Sequence, residues 1–476
     1  MPFSLTIKEV TDAVSGNRVC GPEDAVVTGL TWDSRQVEPG MLFCGFPGER
    51  VDGNDFVASA VKRGAACCLM TREPREEERA SAEAAGCALV TVDEGPASIE
   101  RLAERWRRLI DPVCVGVTGS TGKTTTKDLL ACVLQFMGPV AATKANQNNE
   151  LGVPATVLAA GRADKALVVE VGMRGRHQID RLCQRFVRPS IGVVTNVGTS
   201  HLELLGSREN IARAKSELIE SLPDDGLAVL PAEDDFVGLM RATAAKGRPA
   251  PVRILTFGRS EQADVRATEV ELDAAGIASF TLNLPDGSSV PVKLAIPGTH
   301  NVLNACAAAA VAYCLGATGE QIAALLSQAR SGASRLEVLA APGGFTVIDD
   351  AYNANPDSMR AALKVLASLD VSGRRIAVLG DMGELGPTSP ELHRQVGREA
   401  AASGVDLLVC VGELAAGIAQ GAVENGLGQD AVVRCADAKG ALAALEGKLF
   451  PGDAVLVKAS HSMGLEHVAK GLVNRQ

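Results

Sequence analysis

The chain has 476 residues, of which 46% are hydrophobic and 22% are charged, a composition typical of a globular protein. At this length about three domains are expected. The net charge of −10 argues against broad nucleic-acid binding, which needs a basic surface. No basic stretch followed by an apolar core opens the sequence, so no signal peptide is expected.

The cysteines and the apolar runs indicate the compartment. Twelve cysteines without any C-x-x-C spacing predict buried thiols in a reducing environment rather than disulfides or a metal site. The longest near-apolar run, Ala305–Ala317, is too short and too small in volume to span a bilayer. We therefore expect a cytoplasmic protein without membrane insertion.

The first block, 1–110, is predicted to be a small α/β domain. Thr31–Asn54 is rich in Gly, Pro, Asp and Arg, which indicates short strands and loops. Asp55–Arg63 predicts a helix, and the helical period of apolar residues in Pro96–Leu109 predicts another. Pro112 ends this second helix because proline disfavours helix in the preceding residue.

The second block, 111–328, alternates strands and helices. Ala166–Val169 and Ile191–Thr195 are short β-branched runs, each followed by polar residues and glycine, as in a mostly parallel sheet. Between 252 and 296 the pattern changes to near-alternation, and Pro285-Asp286-Gly287 predicts a hairpin turn. The sequence thus predicts an antiparallel patch on that sheet.

The third block, 329–476, contains four apolar strands with helical patterns between them. This alternation predicts a second doubly wound, Rossmann-like α/β unit. The four strands are Phe345–Ile348, Ile376–Leu379, Leu407–Val411 and Ala454–Val457.

The segment 113–126, VCVGVTGSTGKTTT, indicates nucleotide binding. A β-branched strand breaks into glycines and ends in Gly-Lys-Thr, so backbone N–H groups and a helix N-terminus would face phosphate oxygens. Lys123 would reach the β/γ-phosphates, and the Thr124 hydroxyl would hold Mg²⁺. The loop is a short variant of the common G-x-x-x-x-G-K-[ST], because Val117 stands five residues before Gly122 and the glycine comes at Gly119.

Other polar residues follow strands of the same predicted sheet. Glu170 comes directly after one strand, and His201 follows the next by a few residues. Ligands of such sheets bind beyond the carboxyl ends of the strands. A carboxylate suits Mg²⁺, whereas an imidazole is a less usual ligand, and a lone histidine is more often a surface or capping residue.

Motifs spread over nearly the whole chain resemble those of the Mur ligases, the ATP-dependent amino-acid ligases of peptidoglycan synthesis. In the second and third blocks they are 118–125, 146–154, 196–203, 214–217, 298–304, 349–359 and 380–386. In the first block, Asp33-Ser34-Arg35, Pro39-Gly40, Phe43 and 48–53 fit the family's UDP-binding domain.

The resemblance implies a reaction and a role for each of the three blocks. Segments 146–154, 349–359 and 380–386 resemble the family member that joins D-alanyl-D-alanine to UDP-N-acetylmuramoyl-tripeptide. It implies ATP and Mg²⁺, an acyl-phosphate intermediate and a monomer that binds no nucleic acid. Residues 1–110 would bind the UDP substrate, 111–328 ATP, and 329–476 ATP and the dipeptide.

Two other functions stay open. One is another member of the same family, which adds a single diamino acid to the UDP-muramoyl-dipeptide, although the third block lacks its Asp-Asn-Pro-Arg run. The other is a protein that uses ATP for conformational control, which would hydrolyse ATP without forming an amide.

Site residues are carried over from the family by position. Catalytic roles are implied for Lys123, Glu170, His201 and Lys215; ATP contacts for Gly119, Ser120, Thr121, Gly122, Lys123, Thr124, Thr125, Asn301, Asn304, Arg335 and Asp350; substrate contacts for Ser34, Arg35, Asn148 and Asn149; and metal ligation for Thr124, Glu170 and His201. Lys215 matches the lysine that related ligases carbamylate, which turns a cation into an anionic metal ligand.

Several of these motifs also have a purely structural interpretation. Asn301 and Asn304 would serve equally as caps at a helix start. Asp349-Asp350 would be a strand-end turn, Asn353–Asp357 a helix start without a ligand, and Arg35 an ordinary surface arginine.

Four positions depart from the family pattern. Asn54 stands where the family usually has histidine, Thr121 where it has asparagine, and Ala351 where it has serine. Lys458–His461 reads Lys-Ala-Ser-His in place of Lys-Gly-Ser-Arg, which leaves open whether this loop binds the dipeptide.

Overall fold

The computed structural model describes residues 3–48, 51–144, 147–330, 332 and 334–474. The motif residues Glu49, Arg50 and Asn146, and Ser331 near the start of the third block, lie outside the described residues. Contacts divide the chain into two compact units. Unit 1 comprises Met1–Gly116, Met137–Gly172 and Ile179–Ile191, and unit 2 comprises Val117–Phe136, Met173–Gln178 and Gly192–Gln476.

Unit 1 begins with a strand pair and a five-stranded sheet. The strands are β1 (Ser4–Thr6), β2 (Asn17–Cys20), β3 (Val26–Thr28), β4 (Leu30–Thr31), β5 (Leu42–Gly45), β6 (Cys67–Met70) and β7 (Ala88–Thr91). β1 and β3 form the antiparallel pair. The sheet has the order β2-β7-β6-β5-β4, parallel except where β2 meets β7. The short strands predicted within 31–54 are confirmed.

The helices of the first block are α1 (Ile7–Val14), α2 (Val57–Lys62), α3 (Glu76–Ala85) and α4 (Gly95–Arg107). The predicted helix over Pro96–Leu109 is confirmed as α4, and its apolar residues Ile99, Leu102 and Trp106 are buried. The Trp106 ring packs edge-on against Phe3, with centroids 5.3 Å apart. The helix therefore buries one face, against α1 and the helix over Gly152–Ala159, as the helical period of its apolar residues requires.

The rest of unit 1 belongs to the largest sheet, which has nine strands. β8 (Val113–Thr118), β10 (Ala166–Glu170) and β9 (Val140–Ala142) lie in the order β8-β10-β9. β10 and β9 run parallel. Two helices accompany them, α6 (Gly152–Ala159) and α7 (Gln178–Leu182). The boundary between the units passes through β8 and β11 (Ile191–Val194).

In unit 2 the order continues as β16-β15-β14-β13-β12-β11. The remaining strands are β12 (Leu227–Pro231), β13 (Arg253–Gly258), β14 (Val265–Leu272), β15 (Ile277–Asn283) and β16 (Ser289–Pro297). β12, β13 and β14 run parallel, whereas β15 is antiparallel to both β14 and β16. The antiparallel patch and its turn at 285–287 are confirmed. Side chains alternate between buried and exposed along β15 and β16, which accounts for the period of two in the sequence.

The helices around these strands in unit 2 are α5 (Lys123–Val133), α8 (Leu202–Leu205), α9 (Arg208–Glu220), α10 (Val237–Ala245), α11 (His300–Cys314) and α12 (Gly319–Leu326). α11 is the alanine-rich run, and its alanines are fully buried. Within the described part of the chain, no helix is both long and apolar enough to cross a bilayer.

The third block forms a six-stranded sheet in unit 2. Its strands are β17 (Glu337–Ala340), β18 (Thr346–Asp349), β19 (Arg375–Gly380), β20 (Leu407–Val411), β21 (Val432–Cys435) and β22 (Ala454–Lys458). Its helices are α13 (Pro356–Ser368), α14 (Ser389–Ala402), α15 (Ala416–Glu424), α16 (Ala438–Leu445) and α17 (Glu466–Val473). The order is β17-β18-β22-β19-β20-β21, and only β17 is antiparallel.

The four predicted strands of this block are confirmed as β18, β19, β20 and β22. The structure adds β17 and β21 at the two edges of the sheet. β17 is largely exposed and β21 is partly exposed, so neither has the continuous apolar run that marks a strand buried on both faces.

Candidate functional site

The phosphate loop joins β8 to α5 in unit 2 and depends on two glycines. Gly119 has φ +155°, and a Cβ there would lie 1.8 Å from Thr195 Oγ1. Gly122 has φ +76°, and a Cβ there would lie 2.5 Å from Asn304 Oδ1. Only a residue without a side chain fits either position, because the backbone passes too close to its neighbours.

The segment after β11 supports this loop. Asn196 accepts a hydrogen bond from the Thr121 N–H at 3.0 Å and donates to the Thr121 carbonyl and hydroxyl at 3.1 and 2.9 Å. Thr195 Oγ1 donates to the same carbonyl at 2.6 Å, and the Gly198 N–H donates to Ser120 Oγ at 2.9 Å. These hydrogen bonds fix the shape of the loop, which preorganises its backbone for an anion.

Lys123 and Thr124 open α5, as the motif predicts. Lys123 Nζ donates to the Gly119 carbonyl at 2.9 Å, so the ammonium lies over the loop. Thr124 is buried in the first turn of the helix. A cation, a hydroxyl and a helix N-terminus thus lie together at the carboxyl end of a sheet strand, which is the arrangement that binds phosphate groups.

Asn301 and Asn304 lie inside α11 and do not cap it. Asn301 Nδ2 donates to the Pro297 carbonyl at 2.6 Å, and Asn304 Nδ2 donates to Asn301 Oδ1 at 2.9 Å. Asn304 Oδ1 accepts from the Thr126 hydroxyl of α5 at 3.2 Å. The two amides therefore tie α11 to the phosphate-loop helix, and both side chains are buried.

His201 and Lys215 share one electrostatic neighbourhood with Lys123. Burial and the charge of Lys123 hold the pKa of Lys215 well below its usual range. Burial, followed by the charge of Lys123, lowers the pKa of His201, whereas Glu384 acts in the opposite direction. His201 Nδ1 lies 2.7 Å from Glu384 Oε2, which the sequence did not single out. Burial and the charge of Lys123 both favour the neutral amine of Lys215 over its ammonium form.

Three of the five predicted site residues in unit 1 lie in or next to β10 and α6. Glu170 is the buried last residue of β10, and its Oε1 accepts from Asn148 Nδ2 at 2.7 Å. Its backbone N–H donates to Thr143 Oγ1 at 3.0 Å. Asn149 Oδ1 accepts from the Gly152 N–H at 2.9 Å, at the start of α6. Asn148 therefore orients the carboxylate, and Asn149 shapes the turn into α6.

In the third block, Asp350 pairs with Lys458. Lys458 Nζ lies 2.6 Å from Asp350 Oδ2 and also donates to the Asn353 carbonyl at 2.8 Å. The Arg335 guanidinium stacks on the Tyr352 ring, 4.0 Å from its centroid. The predicted ATP contacts Arg335 and Asp350 are thus preset by neighbours within the third block.

Ser34 and Arg35 follow β4 in unit 1. The Arg35 side chain is exposed and pairs with Asp33, whose carboxylate also accepts from the Arg35 N–H at 2.9 Å. These hydrogen bonds lower the pKa of Asp33 to about 2. Ser34 is buried. The arginine is therefore available at the surface while its neighbour is held in the turn.

The four departures from the family pattern are accommodated locally. Asn54 is buried and bonds to both Asp52 and Thr71. Ala351 is fully buried, where a serine hydroxyl would need a partner. Thr121 bonds to Asn196, as described, and His461 lies against the Tyr352 ring with centroids 5.7 Å apart.

The side chains predicted to hold Mg²⁺ can be compared with the ligands that this ion prefers. Among the residues that the structure describes, no three His, Cys, Asp or Glu side chains form a cluster that could hold a metal ion. Mg²⁺ usually takes one or two protein oxygen ligands together with substrate phosphates rather than an all-protein cage. The hydroxyl of Thr124 in unit 2 and the buried carboxylate of Glu170 in unit 1 are each oxygen donors of the kind that Mg²⁺ takes.

Sequence reasoning missed three neighbours of the site. Asn196 supports the phosphate loop, Glu384 bonds to His201, and Lys458 pairs with Asp350. Each lies in a motif that the sequence displays, but the partner is about 75 to 183 residues away. Spacing along the chain carries no signal for such pairs.

Three family models match the chain in succession. They are the Mur ligase family, catalytic domain, over residues 26–107, the Mur ligase middle domain over 117–312, and the Mur ligase, glutamate ligase domain over 334–461.

Whole-chain relatives agree. The UDP-N-acetylmuramoyl-tripeptide–D-alanyl-D-alanine ligase of Mycobacterium tuberculosis is 40% identical, over 99% of this chain and 98% of its own. A crystal structure of MurF from Acinetobacter baumannii is 32% identical over the full length of both chains, with a TM-score of 0.84. A MurF ligase from Thermotoga maritima in complex with ADP is 27% identical over 93% of this chain and 96% of its own, with a TM-score of 0.74.

Proposed function

This chain belongs to the Mur ligase family, and we propose that it joins D-alanyl-D-alanine to UDP-N-acetylmuramoyl-tripeptide at the expense of ATP. The observation that carries this function is the 40% identity, over nearly the whole of both chains, to a ligase that bears this name. The preorganised phosphate loop of unit 2 supports the use of ATP, and a relative of similar fold binds ADP.

The reaction needs the carboxylate to be activated, because a carboxylate is a poor electrophile for an amine. The γ-phosphoryl group of ATP passes to the terminal carboxylate of the tripeptide, which forms an acyl phosphate and ADP. The free amine of the dipeptide attacks the acyl carbon, and the tetrahedral intermediate collapses to an amide and inorganic phosphate. Water must be excluded while the acyl phosphate exists.

The residues of the phosphate loop stabilise this transfer. Lys123 and the backbone N–H groups of Gly119–Thr125 would neutralise charge on the phosphoryl oxygens in transit. Bound Mg²⁺ would supply further charge neutralisation, and Thr124, Glu170 and His201 are the residues proposed to hold it. Asn301, Asn304, Arg335 and Asp350 are proposed to contact ATP, by their match to the family's motifs.

Lys215 is proposed to be carbamylated. Its neutral amine would attack CO₂, so that an N–C bond forms and one proton is released. A carbamate is anionic, whereas the unmodified ammonium would repel a metal ion. The lowered pKa of Lys215, caused by burial and by Lys123, favours the neutral amine that this chemistry requires.

The remaining assignments concern domains and location. We propose that residues 1–110 bind the UDP substrate through Ser34 and Arg35, that 111–328 bind ATP, and that 329–476 bind ATP and the dipeptide. Asn148 and Asn149 are proposed to face the tripeptide. We propose a monomer in the cytoplasm. The free thiols of Cys68 and Cys87, whose Sγ atoms lie 3.9 Å apart, fit a reducing compartment.

One assay tests the function. Purified protein is mixed with ATP, Mg²⁺ and UDP-muramoyl-tripeptides that differ in the third residue, with and without D-alanyl-D-alanine. Phosphate release that depends on the dipeptide, together with the pentapeptide mass, is expected. Amide formation only with UDP-muramoyl-dipeptide and a diamino acid would assign the other family activity. ATP hydrolysis without any amide would contradict a ligase.

A further inference from the structure

We propose that Glu384 is a positioning residue that fixes the tautomer and orientation of the His201 ring, so that Nε2 is left as the unprotonated nitrogen. This inference rests on the proposed function, in which His201 helps to hold Mg²⁺. It adds a residue of the third block to the support of a ligand from the second.

The contact itself sets the tautomer. His201 Nδ1 lies 2.7 Å from Glu384 Oε2, and an ionised carboxylate only accepts hydrogen bonds. The neutral imidazole must therefore carry its proton on Nδ1, and its lone pair is on Nε2. A histidine that binds a metal usually donates its other ring N–H to a carboxylate in this way, which raises its basicity and holds the ring.

The backbone around the pair is unusual on both sides. His201 has φ +63° and Glu384 has φ +59°, a left-handed conformation that residues other than glycine rarely adopt. Such residues persist only where the surrounding structure holds them, and they are common at functional sites. Two of them here direct their side chains at each other.

The loop that carries Glu384 is held by its own neighbours in the third block. The Gly383 N–H donates to Ser460 Oγ at 2.8 Å, and the Met382 N–H donates to the buried His393 Nε2 at 2.9 Å. The turn that follows, Gly386–Thr388, packs against α8, which begins directly after His201. The carboxylate is therefore placed by folded structure and not by a free side chain at the surface.

Other charges near the pair do not replace Glu384. Lys123 acts on the imidazole as a cation and so offers no acceptor for Nδ1–H. Arg174 Nε lies 3.8 Å from Glu384 Oε1, the second oxygen, which leaves Oε2 for the histidine. His201 is thus oriented only when the third block lies where it brings Glu384 to the ring.

The first measurement is the tautomer. Nitrogen-15 NMR of histidine-labelled protein reports which ring nitrogen is protonated, and a His201→Asn spectrum assigns the signal among the six histidines. We expect Nδ1–H in the wild type and in Glu384→Gln, because the amide oxygen still accepts. We expect a mixture of tautomers in Glu384→Ala.

The second measurement is metal affinity, with Mn²⁺ as the probe in the presence of a non-hydrolysable ATP analogue and electron paramagnetic resonance as the readout. Loss of such a support typically costs about 10- to 100-fold in metal affinity. We expect that loss in Glu384→Ala and most of the affinity in Glu384→Gln. The matched control is Glu203→Ala, which removes an exposed carboxylate two residues from His201 and should change neither measurement.

The outcomes separate this inference from the proposed function. If Glu384→Ala keeps the wild-type tautomer and Mn²⁺ affinity while His201→Ala loses affinity, the inference is wrong and the metal role of His201 stands. If His201→Ala also keeps full Mn²⁺ affinity, His201 does not hold the metal, and the inference about Glu384 is wrong as well. Dipeptide-dependent amide formation by the wild type is read separately, so a failure of the ligase assignment shows there.

Discussion

The ion pair between Lys458 and Asp350 gives a stability prediction with a definite magnitude. The Lys458 side chain is 3% exposed and that of Asp350 is 13% exposed. Lys458→Met removes the ammonium, which leaves the mostly buried Asp350 carboxylate without its cation and deprives the Asn353 carbonyl of its donor. Removing one partner of a buried pair costs about 3–5 kcal/mol, so the free energy of unfolding of the third block should fall by this amount.

The assay must report on the third block alone. Both tryptophans, Trp32 and Trp106, lie in the first block, so tryptophan fluorescence does not follow the unfolding of the third. Hydrogen exchange of peptides from β18 and β22 does, because these strands hold the ends of the ion pair. For a block of this size each kcal/mol shifts the melting temperature by about 2–4 °C, so a decrease of about 6–20 °C is expected.

Two further variants decide what the decrease means. Lys439→Met makes the same change at an exposed lysine of α16 and should alter stability by less than about 0.5 kcal/mol. Adding Asp350→Asn to Lys458→Met removes the orphaned charge and should restore part of the stability. A melting temperature for Lys458→Met within about 2 °C of the wild type would refute the reasoning, because a change that small is what the loss of an exposed ion pair produces.

Three further predictions concern the site and pH. Lys123→Ala should lower kcat by about 10² or more with the fold intact, because a preorganised cation on the transferring phosphoryl group is lost; near-normal turnover would remove this loop from ATP chemistry. Lys215→Ala should be nearly inactive and partly rescued by short carboxylic acids, and insensitivity to both the mutation and bicarbonate depletion would argue against a carbamate. Burial lowers the pKa of His300 to about 4 from its usual 6.5. The unfolded chain therefore takes up this proton first as the pH falls, and stability present above pH 6.5 should be lost progressively towards pH 4. His300→Gln should flatten that part of the denaturation profile, and an unchanged slope would contradict the assignment.

Much of the fold follows from local pattern. The β-branched runs of β10, β11, β18, β19, β20 and β22 predict strands, since these strands are buried over most of their length. Alternation in β15 and β16 predicts the antiparallel patch, because one face of each strand is solvated. The edge strands β17 and β21 escaped prediction because an exposed strand needs no apolar run. Local pattern therefore predicts the middle of a sheet better than its edges.

The candidate site likewise contains residues whose role the local sequence predicts and residues whose role it does not predict. The phosphate loop was predictable because its two glycines, Lys123 and Thr124 all lie within 119–124, and the structure has no room for a side chain at either glycine. The structural interpretation of Asn301 and Asn304 as caps is wrong, since both lie within α11 and bond to Pro297, to each other and to Thr126. The position of an asparagine near the start of a helix therefore does not show whether its side chain caps that helix or bonds to a neighbouring one.

The polar pairs around the site explain what remained hidden. Asn196 with Thr121, Glu384 with His201, and Lys458 with Asp350 each join a motif of one segment to a motif of a distant one. In each pair, a residue that is proposed to contact the ligand is held in orientation by a residue that is not proposed to contact it. Since an oriented group loses less freedom when the ligand binds, we expect such partners to contribute to catalysis without touching substrate. Their absence from a motif-by-motif interpretation is therefore expected: a motif records which residues meet the ligand, whereas the fold decides what holds them.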